Sequence, residues 1–384
     1  MAIAGLFAGI GGFELGFAGA GHTTLLTCEV WPPARAVLHT RLAAGAGHAD
    51  IRDLQRLPDG TTGLCAGFPC QDLSQAGRTA GIGAARSGLV EHVFRLLDTA
   101  AAPAWLVLEN VPFMLHLDRG RALHRLAAAM EARGLRWAWR VVDTLAFLPQ
   151  RRERVFLVAA RDFDPADVLL VDDVEPPARE TRIDREAHGF YWTEGTRGLG
   201  WAADAVPTLK TGSGIGIPSP PAILLPDGGV IQPDIRDAER LQGFPAGWTE
   251  PAEAVGRSTH RWALVGNAVS VPVAAWLGAR LKTPGQYDSA RDRPLAADGR
   301  WPRAARWDGT ARHAVQIGSF PTWAERPPLH RFLLYPGRPL SARATQGFLR
   351  RADASRLHFV DGFKDRLRAH LARMRALAAA SAPA

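Results

Sequence analysis

Residues 2–20, AIAGLFAGIGGFELGFAGA, join a short apolar run to a segment with helical spacing through the turn Ala8-Gly9-Ile10-Gly11-Gly12. The apolar run predicts a buried strand and the later segment a helix. A glycine turn between them brings backbone N–H groups and the positive helix end close to a ligand. The dinucleotide fingerprint G-x-G-x-x-G is not completed, because Glu14 stands at its third glycine. The stretch therefore predicts the start of an α/β sheet, with a nucleotide-type cofactor and a plain tight turn both left open.

The alternation of strand and helix continues to about residue 160. Strands are predicted over residues 23–28, 64–68, 105–108, 136–143 and 155–160, and helices over residues 89–102 and 121–133. Such repetition predicts an open, mostly parallel α/β sheet with helices on both faces. Glu29 ends the second strand, where an acid can bind ribose hydroxyls, and Trp31 beside it can stack on adenine or pack in the core. Asp50-Ile51 is placed to form a third side of the ligand pocket to which Glu29 and Trp31 would belong.

The pattern changes near Arg161. Residues 161–235 are rich in Asp, Pro and Gly, which predicts a smaller domain with little helix. Helices are predicted again over residues 235–241 and 272–281. A linker near residues 283–294 leads into a tail whose residues 340–377 have a helical pattern.

Positive charge is concentrated in that tail. Residues 282–384 contain 19 Lys and Arg against 8 Asp and Glu, whereas residues 1–281 contain 27 against 30. The excess indicates a polyanionic partner, with a solvated basic surface as the alternative.

The three cysteines, Cys28, Cys65 and Cys70, have neither a paired disulfide framework nor zinc-site spacing. Cys28 and Cys65 lie in apolar runs and are expected to pack in the core. No apolar stretch is long enough to cross a bilayer, and the first residues lack the basic region of a signal peptide. We expect a cytoplasmic protein with no membrane partner and one reactive thiol.

The segment Gly67-Phe68-Pro69-Cys70-Gln71 ends a predicted strand and is followed by a glycine-rich stretch, residues 71–88. A cysteine at a strand end is either an inert buried thiol or a nucleophile. The following stretch predicts a mobile loop beside it.

Taken in order, these motifs resemble the cytosine-C5 DNA methyltransferases. The resemblance covers residues 1–281, and the tail lies outside it. The segments that carry it are Phe7-Ala8-Gly9-Ile10-Gly11-Gly12, Glu29-Val30-Trp31, Asp50-Ile51, Gly67-Phe68-Pro69-Cys70-Gln71, Arg86-Ser87-Gly88-Leu89, Glu109-Asn110-Val111, Gln150-Arg151-Arg152-Glu153-Arg154, Arg240-Leu241-Gln242-Gly243-Phe244-Pro245 and Gly266-Asn267-Ala268-Val269. Together they imply a Rossmann-like, S-adenosylmethionine (SAM)-dependent methyltransferase fold and a DNA (cytosine-5-)-methyltransferase.

The resemblance implies a catalytic set for a flipped cytosine. Cys70 would add to C6 of the ring, Glu109 would bind N3 and the exocyclic amine, and Arg154, with Arg152 beside it, would bind O2 and phosphates. Asn110 and Gln150 would organise turns. Residues 71–86 would form a lid. The predicted DNA contacts are Ser74, Gln75, Arg78, Gln150 and Lys210.

The implied cosubstrate is SAM, with S-adenosyl-L-homocysteine as product and no metal. Its predicted pocket is Phe7, Ala8, Gly9, Gly11, Gly12, Glu29, Val30, Trp31, Asp50, Ile51, Pro69, Val90, Asn267 and Ala268.

The implied domains are residues 1–160 with 258–283 for catalysis, residues 161–257 for target recognition, and residues 284–384 as a basic extension able to contact DNA. We expect a monomer acting on double-stranded DNA near the nucleoid, either beside a partner restriction endonuclease or as a solitary methylase. A tRNA cytosine-5 methyltransferase of the same fold stays open. An NAD(P) oxidoreductase is disfavoured by the missing third glycine, and a non-catalytic relative by the intact Cys70, Glu109 and Arg154.

Overall fold

The computed structural model describes residues 1–42, 45–68, 88–99, 102–178, 180–212, 219–295 and 301–380. In these residues the strands are β1 (Ala2–Leu6), β2 (Thr23–Cys28), β3 (Ala46–His48), β4 (Gly63–Ala66), β5 (Trp105–Asn110), β6 (Arg136–Asp143), β7 (Gln150–Arg151), β8 (Glu153–Ala160), β9 (His188–Phe190), β10 (Trp201–Ala203), β11 (Val206–Pro207), β12 (Ala222–Leu224), β13 (Val230–Gln232), β14 (Asp292–Pro294), β15 (Ala304–Trp307), β16 (Arg312–Val315) and β17 (Arg338–Pro339). The α-helices are α1 (Gly12–Gly19), α2 (Pro32–Arg41), α3 (Leu89–Leu97), α4 (Arg121–Glu131), α5 (Ala166–Leu169), α6 (Ile235–Leu241), α7 (His260–Asn267), α8 (Val271–Lys282), α9 (Leu329–Phe332), α10 (Ala342–Ala354) and α11 (Phe363–Ala380).

The central sheet has ten strands in the order β14-β16-β15-β6-β8-β5-β4-β1-β2-β3. The five strands β5, β4, β1, β2 and β3 pair with one another in parallel, which confirms the predicted α/β fold. Beyond β5 the pairs are antiparallel. Because β8 runs against β5, its first residues lie where β5 ends, and Asn110 pairs with Val155. Arg154 therefore reaches the edge at which the parallel strands end.

Helices cover both faces of this sheet. Leu106 and Leu108 of β5 belong to one buried cluster with residues of α3 and α4, whereas Trp105 and Val107 belong to another with residues of α1 and α8. Alternate residues thus enter opposite cores, as expected of a sheet buried on both sides.

Helices α7 and α8 follow each other across residues 268–270. Together they form the stretch His260–Lys282, whose length and mean hydropathy of 1.4 would also suit a membrane span, although half of it is buried inside the protein. Gly16 of α1 lies so close to α8 that a β-carbon there would sit 2.6 Å from the β-carbon of Ala274. This close packing is that of a core helix.

A second, antiparallel sheet has the order β10-β9-β12-β13-β17. Helices α10 and α11 pack on it through a cluster that includes Phe190, Phe348 and Phe363. The helical pattern predicted in the tail is thereby confirmed as two helices. The extension of residues 284–384 contributes to both sheets, since β14, β15 and β16 join the first and β17 joins the second.

Several basic side chains of the extension bind internal acids. Arg312 forms a bidentate pair with Glu131, with both N–O distances at 2.7 Å. Arg306 pairs with Asp292 and Asp164. Part of the tail's positive charge therefore fastens it to the rest of the protein.

Candidate active site

A cavity of about 660 Å³ lies at the edge where the parallel strands end. In open α/β sheets this edge is where ligands bind. The predicted residues that line it are Phe7, Gly9, Glu29, Val30, Trp31, Asp50, Ile51, Glu109, Arg152, Arg154 and Asn267. The structure thus brings residues of most of the predicted motifs to one place.

The turn after β1 is shaped by its backbone. Phe7, Gly9 and Gly11 have positive φ values of 52°, 56° and 87°. A β-carbon at Gly12 would lie 2.4 Å from the carbonyl oxygen of Val269. Glycine at position 12 therefore allows α1 to begin directly against the segment that joins α7 to α8.

Glu29 holds this turn in place. Its carboxylate accepts hydrogen bonds from the backbone N–H groups of Gly9 and Trp31, both at 2.8 Å. Burial raises the pKa of Glu29, while these hydrogen bonds act in the opposite direction. A carboxylate offers about four acceptor positions, so two remain for hydroxyl donors of a ligand.

Two further features define this end of the cavity. The Trp31 ring lies with its centroid 5.6 Å from that of His260 on α7. Asp50 forms a bidentate pair with the exposed Arg52, whose Nε lies 2.9 Å from Oδ1, and this pairing lowers the pKa of Asp50 to about 2. A ligand donor would share that carboxylate with Arg52.

Glu109 and Arg154 face each other at the other end. Arg154 Nε lies 3.1 Å from Glu109 Oε1, in an ion pair without the alignment of a good hydrogen bond. Desolvation raises the pKa of Glu109, and the guanidinium groups of Arg154 and Arg152 partly offset this rise. A buried carboxyl with a raised pKa is suited to donate as well as accept a proton.

Asn110 fixes the relation between β5 and the chain after β4. Its Nδ2 donates to the carbonyl of Phe68 at 3.0 Å, and its Oδ1 accepts from the N–H of Val111 at 2.9 Å. This is the organising role that we predicted for it. Phe68 stands two residues before Cys70. Pro69, Cys70, Ser74, Gln75 and Arg78 lie outside the described residues.

Arg152 is buried, and its guanidinium binds backbone carbonyls. It donates to Leu209 at 3.1 Å, to Gly266 at 3.1 Å and to Ala268 at 2.8 Å. Desolvation lowers its pKa well below the ordinary value. Arg152 therefore ties the start of β8 to the segment after β11 and to the end of α7, while also lining the cavity.

Gln150 is fully buried. Its Nε2 donates to the Leu241 carbonyl at 2.8 Å, and its Oε1 accepts from the Leu209 N–H at 3.0 Å. This placement does not support the DNA contact predicted for Gln150, because its amide is engaged inside the protein. It agrees with the organising role that the same motif implied.

Comparison with known proteins decides the family. The family model described as C-5 cytosine-specific DNA methylase matches residues 1–186. The Type II methyltransferase M2.BsuMI of Bacillus subtilis (strain 168) is 44% identical over 364 residues, which cover 92% of this chain and 93% of that protein. The chain belongs to the C-5 cytosine-specific DNA methylase family.

Other matches agree with this membership. The Type II methyltransferase M.NgoBI of Neisseria gonorrhoeae is 30% identical over 70% of this chain and 89% of its own length. The crystal structure of S. pombe Dnmt2 methyltransferase matches with a TM-score of 0.53, covering 73% of this chain and 98% of that chain. At 16% identity, the latter likeness concerns the fold alone. This methylase is thus a DNA (cytosine-5-)-methyltransferase on a known methyltransferase fold.

Some predicted residues of the methylase lie behind the cavity wall. Val90 is buried in the core, and its neighbour Leu89 lines the cavity. Ala8, Gly11, Gly12 and Ala268 are not among the lining residues. Of these, Gly12 lies against the backbone of Val269, and the Ala268 carbonyl accepts a hydrogen bond from Arg152, which lines the cavity.

Lys210 lies outside the cavity of the methylase. Its Nζ is 3.1 Å from Glu194 Oε1 and 3.8 Å from the centroid of the Tyr191 ring. The predicted DNA contact of Lys210 would therefore have to be made beside these partners.

The lining residues that were not predicted as site residues include Arg52, Leu264 and Cys28. Leu264 stands three residues before Asn267 on α7, so helical spacing could have indicated it. Cys28 is buried, as predicted, and desolvation raises its pKa to about 12. Burial also raises the pKa of Cys65 well above its ordinary value. Neither thiol is set up as a nucleophile.

Proposed function

We propose that this methylase transfers a methyl group from SAM to C5 of a cytosine flipped out of double-stranded DNA, through a covalent bond between Cys70 and C6. The observation that carries the proposal is the placement of Glu109 and Arg154 in one cavity with the turn held by Glu29. Phe68, two residues before Cys70 in the chain, lines this cavity and is held by Asn110.

The chemistry explains why these groups are needed. C5 of cytosine is a poor nucleophile. When the Cys70 thiolate forms a bond to C6, the electron pair of the C5–C6 double bond moves into the ring and makes C5 enamine-like. Glu109 gives a proton or a hydrogen bond to N3, and Arg154 binds O2, so the developing negative charge is stabilised. C5 then attacks the methyl carbon of SAM, the bond between that carbon and the sulfonium sulfur breaks, and S-adenosyl-L-homocysteine leaves. A solvent base takes the C5 proton, and the electron pair of that C–H bond re-forms the C5–C6 double bond as the Cys70 sulfur departs as thiolate. Any proton given to N3 returns to Glu109, and the aromatic ring is restored.

The residues around the turn suit SAM. Bound SAM supplies a methyl group attached to a positively charged sulfur. The positive φ value at Gly9 keeps its backbone atoms at the cavity wall, Glu29 has acceptor positions left for ribose hydroxyls, and Trp31 offers an aromatic face. Asn267 lines the cavity near these groups.

A cytosine stacked in a duplex cannot reach this site. Unpairing and unstacking one nucleotide costs about a few kcal/mol, which binding must supply. Ser74, Gln75 and Arg78 stay predicted DNA contacts, since they lie outside the described residues.

Along the chain, we propose that residues 1–160 with 258–283 carry out catalysis and that residues 161–257 recognise the target sequence. The extension of residues 284–384 supports both parts. We also propose that the protein is the modification enzyme of a restriction–modification system, and that it works as a monomer in the cytoplasm.

Transfer of tritium from methyl-labelled SAM tests this function. Duplex DNA and tRNA are run side by side, and the modified base is identified after digestion. We expect 5-methylcytosine in DNA alone, and bisulfite sequencing of the product then gives the recognised sequence. Label in tRNA only, or on another base, would overturn the proposal.

A further inference from the structure

A second cavity of about 370 Å³ lies beside the first and shares Arg154 with it. We propose that it binds the nucleotide adjacent to the flipped cytosine on the same DNA strand, with its phosphate on Arg151 and its sugar or base against Tyr191 and Trp201. The inference rests on the proposed function. A strand that delivers one nucleotide to Arg154 must place the covalently joined neighbour next to it.

Arg151 is the exposed cation of this cavity, beside the shared Arg154. Its side chain is exposed, and within the described ranges no carboxylate lies within ion-pair distance of it. Its backbone is fixed, because Thr208 Oγ1 donates to the Arg151 carbonyl at 2.8 Å and Pro207 pairs with Arg151 between β11 and β7. A guanidinium on a fixed backbone is suited to bind a phosphate.

The acids in the same wall are already engaged. Asp143 accepts from the N–H groups of Arg152 at 2.8 Å and Leu145 at 3.1 Å. Glu153 pairs with Arg303 at 2.6 Å. A phosphate entering beside Arg151 would therefore meet carboxylates whose charge is already partly balanced.

Two aromatic side chains line the cavity in fixed positions. The hydroxyl of Tyr191 donates to the Thr208 carbonyl at 2.8 Å. The indole N–H of Trp201 donates to the His358 carbonyl at 2.9 Å, and its ring lies 6.4 Å from that of Phe359 at an angle of 29°. Rings held this way provide surfaces for sugars or bases at little entropic cost.

The contacts of Trp201 give the C-terminal extension a role in DNA binding. His358 and Phe359 belong to the extension and lie between α10 and α11. They contact Trp201, which is in β10, the edge strand of the second sheet. The extension thus acts on the DNA through the position of Trp201, without needing its own arginines at the nucleic acid.

The test uses the full-length protein and a 30-base-pair duplex that contains the methylated sequence. In a series of duplexes, one phosphate flanking the target cytosine at a time is replaced by a neutral methylphosphonate. We expect one replacement to weaken wild-type binding about tenfold, which corresponds to about 1.4 kcal/mol. Arg151→Gln should bind the unmodified duplex about tenfold more weakly, lower the salt slope by about one, and lose nothing further with that replacement.

Matched variants separate this effect from others. Arg161→Gln removes an exposed arginine just beyond the opposite end of β8 and should bind DNA as the wild type does. Trp201→Ala should weaken DNA binding while Trp201→Phe, which keeps an aromatic face, should restore most of it. The KM for SAM should stay unchanged in Arg151→Gln. If Trp201→Ala does not fold, as judged by its melting curve, Arg151→Gln still decides.

The inference is overturned if Arg151→Gln binds and methylates like the wild type, or if it still responds to every neutral phosphate as the wild type does. In both cases wild-type methyl transfer continues, and the proposed function stands. Absence of methyl transfer by the wild type on any DNA would instead remove the proposed function and the inference together.

Discussion

Gly266 of α7 lines the cavity and packs directly against the backbone of the segment that follows β11. A β-carbon at this position would lie 2.4 Å from the carbonyl carbon of Lys210 and 2.5 Å from both the Lys210 oxygen and the Thr211 nitrogen. All three are backbone atoms, which cannot rotate away as a side-chain end can. Gly266→Ala must therefore separate α7 from the segment that follows β11.

The size of the effect follows from this geometry. Restoring an ordinary contact of about 3.4 Å needs a shift of about 1 Å, and overpacking of this kind costs about 1–3 kcal/mol of unfolding free energy. The same shift pulls on the Arg152 hydrogen bonds to Gly266 and Leu209, and it displaces Asn267 in the cavity wall. A misplacement of about 1 Å can lower a rate about 100-fold.

The assay is tritium transfer from SAM to DNA, combined with urea unfolding. Gly19→Ala is the matched control, because a β-carbon there has nothing within 4 Å and alanine suits a helix better than glycine. We expect Gly266→Ala to lose both stability and rate, and Gly19→Ala to lose neither. A Gly266→Ala protein that unfolds and methylates like the control would refute the reasoning.

Three other changes test separate parts of the structure. Desolvation raises the pKa of the buried Glu14 to about 7, so its contribution to stability is complete below the ordinary value near 4.5 and is lost as pH rises through 7. Relative to Glu14→Gln, the wild type should lose about 2–3 kcal/mol of unfolding free energy between pH 5 and pH 8, as measured by urea unfolding. Parallel pH profiles of the two proteins would contradict this. Glu109→Gln should lower the methylation rate about 10²–10⁴-fold while DNA and SAM still bind. The wild-type rate should fall as pH rises through the raised pKa of Glu109, and the variant should lack this fall. If the variant keeps the wild-type pH profile, Glu109 is not the acid that protonates N3. Trp301 packs on Trp139 with ring centroids 5.0 Å apart, and its indole N–H donates to the Gly120 carbonyl at 2.8 Å. Trp301→Ala should therefore lower the free energy of the main unfolding transition by about 3–5 kcal/mol. An unchanged main transition would mean that the extension folds independently of the central sheet.

The sequence predicts the first half of this fold well, because its signals are local. A strand, a glycine turn and a helix in residues 2–20 define the start of the parallel sheet. The parallel strands then bring Glu29 and Glu109 to one edge, independently of the loops between them. The likeness of the ordered motifs then assigns roles that spacing alone leaves open.

The parts that the sequence did not predict depend on long-range contacts. Gln150 lies in an exposed-looking basic run, yet its amide is buried between Leu209 and Leu241, more than 50 residues away in the chain. The basic composition of the extension indicated a nucleic-acid surface, whereas Arg312 and Arg306 bind acids of the protein. The second cavity is built by Arg151, Tyr191 and Trp201 from three separate segments, and no local pattern indicates that they meet.

The central claim is that Cys70 forms a covalent bond to the target cytosine, and trapping of that bond tests it most directly. A duplex with 5-fluorocytosine at the target lets addition and methylation proceed but blocks release, because fluorine cannot leave C5 as a proton does. Intact-mass measurement and peptide mapping should place one methylated DNA adduct on Cys70 when SAM is present, and none should form with Cys70→Ser. An adduct on Cys28 or Cys65, or full methylation by Cys70→Ser, would contradict the account.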